Sequence, residues 1–275
     1  MGLSVTFVSG VRRSGKSAVI EAMIDRLWKT PPHYIRLVKA GSAKAAPSTT
    51  AKCVSKPLPK SAVASARWIE FDEDRVFEIL PEALAAIHRA DRFGSVVIEA
   101  DADSSLRCAY PYDHRIFVMP RPATIHEVFR DPRHAAEELQ RAMDDTAAFA
   151  SEIFGLFTQS EEDAPDPSEE RAEMTAPGMR GFLCSPLGDE LATRIQLQPP
   201  YHGLVESDVV LVNTALGVCG PETDECLRRV TRLLSRVRNQ SERKSDLFQC
   251  DPWDENGRDC KELLNALEPM CQGGT

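Results

Sequence analysis

Gly10-Val11-Arg12-Arg13-Ser14-Gly15-Lys16-Ser17 carries the spacing G-x-x-x-x-G-K-S. Those residue types at that spacing hold phosphate. Two glycines let a backbone turn tightly and come close to an anion. The N–H groups of such a loop converge as an anion nest. A helix starting at the loop adds the positive end of its dipole at the same place. In this scheme Lys16 reaches the β- and γ-phosphates of a nucleoside triphosphate, and the Ser17 hydroxyl ligates Mg²⁺. Val11, Arg12, Arg13, Ser14 and Ala18 complete the loop and its first helical residues. Arg12 and Arg13 either add charge beside the nucleotide or face water.

A metal–triphosphate site also needs an acid at the end of a neighbouring strand. The segment Val96-Val97-Ile98-Glu99-Ala100-Asp101-Ala102-Asp103 offers three. Glu99 ends the apolar run and is the first candidate, Asp101 the second; Asp103 fits a turn cap. The expected chemical group is therefore Lys16, Glu99 and Asp101, with Ser17, Glu99 and Asp101 around the metal. Asp72, Glu73 and Asp74 read first as the cap of a helix, and second as a further metal contact or a base. Arg121, Arg130 and Arg133 follow a strand, where arginines can clamp phosphates; a solvated helical surface is the plainer reading.

Asn213 ends another apolar run. In many GTPases a strand in this place ends Asn-Lys-x-Asp, and the Asp selects guanine. Here Asn213-Thr214-Ala215-Leu216 lacks both Lys and Asp, which leaves ATP slightly favoured over GTP. The six histidines (His33, His88, His114, His126, His134, His202) show no metal spacing and read as structural or surface residues. The eight cysteines (Cys53, Cys108, Cys184, Cys219, Cys226, Cys250, Cys260, Cys271) form no C-x-x-C and no zinc pattern. Reduced, unpaired thiols in a cytoplasm are the expectation, with the last three in a polar tail.

These residues need elements to hold them. Residues 3–9 form a β-branched and aromatic run suited to a buried strand. Val19, Ile20, Met23, Ile24 and Leu27 have the spacing of one helix face, which predicts a helix over 17–28 that Pro31-Pro32 ends. Strands are expected at 33–39, 67–71, 95–100, 115–119, 181–184 and 207–212. Helices are expected at 74–92, 133–157 and 221–238. Residues 40–65, rich in Ala, Ser, Thr, Lys and Pro, read as a mobile loop. Residues 159–177, acidic and proline-bearing, read as an acidic excursion. Residues 239–275 read as a polar tail with one short helix near 259–267. Strands alternating with helices predict an α/β fold: a three-layer sandwich with a mostly parallel sheet over 1–238.

Composition sets outer limits. The chain has 275 residues, 27% charged and 42% hydrophobic, and is not a disordered polymer. A net charge of -9 argues against sequence-independent nucleic-acid binding. No apolar run approaches the ~20 residues that cross a bilayer, and no secretory pattern opens the chain. Met1-Gly2-Leu3-Ser4-Val5-Thr6 fits a loose myristoylation pattern, but it runs straight into the first strand.

The loop at 10–17 resembles that of the P-loop NTPase superfamily. The wider layout resembles the molybdopterin-guanine dinucleotide biosynthesis adapter proteins. The shared features are a phosphate loop at the extreme N-terminus, a second strand close behind it at 33–39, and a long loop before the acid-tipped strand at 95–101. Relatives of that group often show Glu-Gly where this chain has Glu99-Ala100-Asp101. The extra loop lysine of partition and septum-site ATPases is replaced by Val11. The resemblance spans about 120 N-terminal residues and implies the three-layer fold and Mg²⁺-dependent binding of a nucleoside triphosphate. Hydrolysis or phosphoryl transfer to a small-molecule acceptor is one reading. A slow switch or adapter that contacts a protein partner through 40–65 and 159–177 is the other.

Overall fold

The computed structural model describes residues 3–28, 30–38, 56–57, 67–72, 76–100, 112–141, 144–145, 193–241, 246–252, 254 and 258–271. The strands are β1 (Ser4–Gly10), β2 (His33–Val38), β3 (Lys56–Pro57), β4 (Arg67–Asp72), β5 (Ser95–Glu99), β6 (His114–Arg121), β7 (Val209–Gly217) and β8 (Asp246–Cys250). The helices are α1 (Lys16–Arg26), α2 (Val76–Ala90), α3 (Ile125–Val128), α4 (Thr223–Ser241) and α5 (Arg258–Cys271), with a 3-10 helix at Pro199–Glu206 and a helical run at 132–141.

The strands form one sheet in the order β3-β4-β2-β5-β1-β6-β7-β8. Every pair is parallel except β3 with β4. A parallel sheet is apolar on both faces, and the strands read that way. Alternate residues of the central strands go to opposite sides. Val8, Val97, Ile116, Val118, Val209 and Leu211 meet Val19, Ile20, Met23 and Ile24 of α1. On the other side Phe117, Met119, Val210 and Val212 pack with Val128 of α3, the 3-10 helix and Leu227, Val230 and Leu234 of α4. Phe7, Ile35, Val96 and Ile98 pack there with Leu80, Ala83 and Ile87 of α2. The result is a three-layer α/β arrangement, with the G-x-x-x-x-G-K-S segment joining β1 to α1. Carboxyl ends of parallel strands, where such folds place their ligands, all lie on that one rim.

The C-terminal stretch departs from the sequence reading. A polar tail was expected beyond 239. Instead β8 extends the sheet beside β7, and α5 returns across it. Cys250, Cys260, Leu263 and Leu267 are buried in the same cluster as α1. Cys250 and Cys260 are free thiols, but they are core residues, not tail residues. The polar reading failed because β8 is a half-buried edge strand of five residues, too short to show a period above its charged neighbours. The helix expected near 259–267 is present and longer.

The helix expected at 133–157 is helical at 132–141 and at 144–145; its remainder lies outside the described residues. The acidic 159–177 stretch, the strand expected at 181–184 and all of 40–65 except β3 also lie outside them. No helix among the described residues is long and apolar enough to cross a membrane.

The C-terminal layer is tested by one substitution. Leu263→Ala should cost about 2–5 kcal/mol in urea unfolding, as a buried Leu→Ala change does. A cost below about 0.5 kcal/mol, typical of a surface site, would return α5 to the status of a tail.

Candidate functional site

Parallel pairing of β1 with β5 sets Val8 opposite Glu99. The chain then leaves β1 at Gly10, rounds the loop and enters α1 at Lys16. This returns Ser17 to the end of β5. The Ser17 hydroxyl lies 2.9 Å from Oε1 and 3.1 Å from Oε2 of Glu99, donating to the carboxylate. Sequence spacing of 82 residues is thereby reduced to one hydrogen bond, and the first-choice acid meets the loop serine. Asp101, the second choice, lies outside the described residues, as do Asp103, Glu73 and Asp74. Asp72 ends β4, two strands away from β5.

The loop's shape depends on its two glycines. Gly10 has φ 150, and a Cβ there would stand 1.9 Å from the Val118 carbonyl oxygen. Gly15 has φ 88, and its Cβ would stand 2.6 Å from Asn213 Nδ2. Gly15 is also the N-cap of α1, so no side chain occupies the first amides of the helix, and its first turn carries no acid. Those amides have no intrahelical acceptor. The N-terminal dipole and the amides together favour an anion there.

Lys16 is buried, with its Nζ donating to the Gly10 and Val11 carbonyls, each at 3.1 Å. The ammonium therefore sits within the turn that the loop makes. Ser14 is fully buried, and its Oγ has no hydrogen-bond partner among the described residues. Arg12 and Arg13 are exposed, and Ala18 is half-buried.

Two residues that sequence reasoning missed or left open complete the site. Tyr34, in β2, donates its hydroxyl to Oε2 of Glu99 and is itself buried. Burial pushes its phenol well above the ordinary value of 10.0; the Glu99 charge and hydrogen bond push the same way, while Arg36 and a Ser17 hydrogen bond oppose. The signal was weak: β2 was expected, but His33, Tyr34 and Arg36 all carry side-chain donors within it. Nothing in one sequence says that β2 lies beside β5. Asn213, midway along β7, donates from Nδ2 to the Ser14 carbonyl at 3.1 Å and accepts from the Ala215 N–H at 3.1 Å. It is fully buried and ties β7 to the loop.

Other candidates are not gathered here. Arg130 pairs with Glu138. Arg133 is exposed, its backbone N–H bonded to Asp131. Arg121 ends β6, where its carbonyl packs against Gly217. His33 faces Asp91 at 3.8 Å, and His202 bonds the Leu197 carbonyl. Among the described residues no three His, Cys, Asp or Glu side chains gather as a metal cluster.

A Mg²⁺–triphosphate fits the residues present. A buried carboxylate and a hydroxyl, already aligned on each other, are the hard oxygen donors that Mg²⁺ takes alongside phosphate and water. The glycine-walled loop and Lys16 provide for the phosphates.

Two substitutions probe this geometry. Gly10→Ala should cost about 3 kcal/mol or more, since the clash is with backbone inside a parallel ladder. Tyr34→Phe should cost about 1–3 kcal/mol by leaving buried Glu99 one donor short. It should also flatten the alkaline limb. A raised phenol stabilises the fold fully below about pH 10 and loses that contribution as pH climbs toward the folded value. The stability difference between about pH 8 and about pH 10.5, by urea unfolding, should shrink in the variant; an unchanged difference would place Tyr34 outside the network.

No protein-family model matches the chain, and no curated protein matches it. Among solved structures, it is similar to HypB from Helicobacter pylori in complex with nickel, with TM-score 0.43 and 9% identity over 100% of this chain and 91% of that one. It is similar to the hydrogenase maturation factor HypB from Archaeoglobus fulgidus, with TM-score 0.36 and 13% identity over 97% and 88%. It is also similar to a LAO/AO transport system kinase, with TM-score 0.43 and 12% identity over 98% of this chain and 59% of that one. At these scores and identities nothing about substrate or partner passes from those proteins to this chain.

Proposed function

We propose that this chain is a P-loop NTPase that binds a nucleoside triphosphate with Mg²⁺ and hydrolyses it or transfers its terminal phosphoryl group. The observation that supports this most is the Ser17–Glu99 contact at the mouth of the G-x-x-x-x-G-K-S loop. A glycine turn that merely joined a strand to a helix would have no need of a buried acid aimed at its serine. In this reading Lys16 and the amides of 10–18 hold phosphate oxygens and stabilise the negative charge of the transferred group. Ser17 and Glu99 hold the metal, and Asp101 is kept as the second acid on the strength of the sequence. Tyr34 positions Glu99. Bound Mg²⁺ would supply charge neutralisation across the β- and γ-phosphates.

The base is the finer part of the proposal. Residues 214–216 follow Asn213 as Thr-Ala-Leu, with no carboxylate to pair with guanine, and ATP is placed slightly ahead of GTP on that ground. Phosphoryl acceptors and protein partners are proposals of the same rank. The switch or adapter reading shares this site and differs only in turnover: slow hydrolysis with nucleotide-dependent partner binding favours it, and rapid transfer to a small molecule favours the phosphotransferase. A soluble, cytoplasmic setting is part of the proposal.

Thermal unfolding with MgATP, with MgGTP and with neither tests it. A ligand confined to the folded state at 100-fold its Kd adds about 2.7 kcal/mol. The expected result is a rise in Tm with at least one nucleotide that is lost in Lys16→Ala. No rise with either nucleotide, for a folded protein, would overturn the proposal.

A further inference from the structure

The crossover helix α4 joins β7 to the outermost strand, β8. Its buried face, with Leu227, Val230, Leu233 and Leu234, shares one cluster with Val210 and Val212 of β7. A second row has the 3, 4, 7, 8 spacing of a single helix face: Asp224, Leu227, Arg228, Thr231 and Arg232. With Gln249 of β8 this row lines an open groove of about 600 Å³. One wall of the groove is a helix and the other is the edge of the sheet.

The strand wall offers backbone. The Asp246 N–H bonds the Asp208 carbonyl at 3.0 Å, so Asp246, Phe248 and Cys250 direct their peptide groups toward β7. By the same alternation Leu247 and Gln249 direct theirs away from it. No strand pairs with β8 on that side among the described residues. The helix wall offers positive charge. Arg228, Arg232 and Arg236 stand four residues apart and are exposed, and like charges at that spacing repel. Glu225 meets Arg228 at 3.0 Å. No carboxylate pairs with Arg232 or Arg236 among the described residues. The helix dipole favours cations only in the last turn, which leaves Arg232, in the middle of α4, without that support.

We propose that this groove receives an extended acidic segment of a partner protein, which adds as a strand to the outer edge of β8 and sets alternate carboxylates against Arg228 and Arg232. Main-chain bonds to Leu247 and Gln249 would hold the segment, and the arginines would select it. The spacings agree. Four residues of helix rise about 6 Å, and side chains two apart on a strand are separated by about 6.6 Å. The net charge of -9 repels a nucleic acid while leaving this local row open to a peptide's carboxylates. The groove is built from α4 and β8, so the proposal stands apart from the nucleotide reading.

The test is fluorescence anisotropy of a short labelled peptide alternating Val and Glu, titrated with the full chain at low salt. Two further peptides are compared: one with Lys in place of Glu, and one with the Glu peptide's alternate amides N-methylated, which keeps the charge and removes backbone donors. Saturable binding of the Glu peptide is expected. It should weaken about tenfold or more in the double variant Arg228→Gln with Arg232→Gln, the scale of a lost charge-assisted contact. N-methylation should weaken it to a similar degree, and the Lys peptide should not bind. The two substitutions are at exposed positions, so Tm should move by no more than about 2 °C. The N-methyl comparison uses wild type alone and stands even if the double variant unfolds. No saturable binding, equal binding of the N-methylated peptide, or equal binding of the Lys peptide would overturn the proposal. So would displacement of the peptide by a single-stranded oligonucleotide, or a dimer of the free chain that the two substitutions disperse, which would give the groove to a second copy.

Discussion

The contact between the Ser17 hydroxyl and the Glu99 carboxylate joins a helix start to a strand end, and the rest of the site depends on it. It exists because β1 and β5 are parallel neighbours in a register that ends β5 opposite Val8, two residues before Gly10. A slip of one residue would turn the Glu99 side chain to the opposite face. The register is fixed in turn by burial on both faces of the sheet, where Val8, Val97 and Val118 meet α1 and Phe7, Val96 and Ile98 meet α2. The apolar core thus sets the position of a polar pair.

Buried charge is the cost of that arrangement. Both Glu99 and Lys16 are about 5% exposed, and an ionised group so placed is tolerable only when hydrogen-bonded. Glu99 is met by Ser17 and Tyr34, from two different elements. Lys16 is met by carbonyls of its own loop. Asn213 fixes the far side of the loop through the Ser14 carbonyl. Four strands, β1, β2, β5 and β7, therefore contribute to one small volume at the carboxyl rim.

Much of this was legible from residue types. The 10–17 spacing named the loop, the apolar run into Glu99 named the acid, and β-branched runs located most central strands. What was not legible was adjacency. Tyr34 is a tyrosine in an ordinary strand until β2 is seen beside β5. Asn213 had two readings, base contact or loop cap, and the structure shows it bonded to the loop. Beyond 239 the reading failed because an edge strand and its amphipathic helix carry too few apolar residues to stand out, although Cys250, Cys260, Leu263 and Leu267 complete the layer over α1. The acids beyond Glu99 had nothing but nearness in sequence to recommend them.

The most direct measurement is equilibrium binding of a fluorescent nucleoside triphosphate to the full chain, with Mg²⁺ and with EDTA, for wild type and Glu99→Gln. Affinity in wild type should fall about tenfold or more without the metal, the worth of one charge-assisted contact, and Glu99→Gln should abolish that difference. Binding indifferent to both Mg²⁺ and Glu99, or no binding at all by the folded chain, would contradict a metal–triphosphate site built on Ser17 and Glu99.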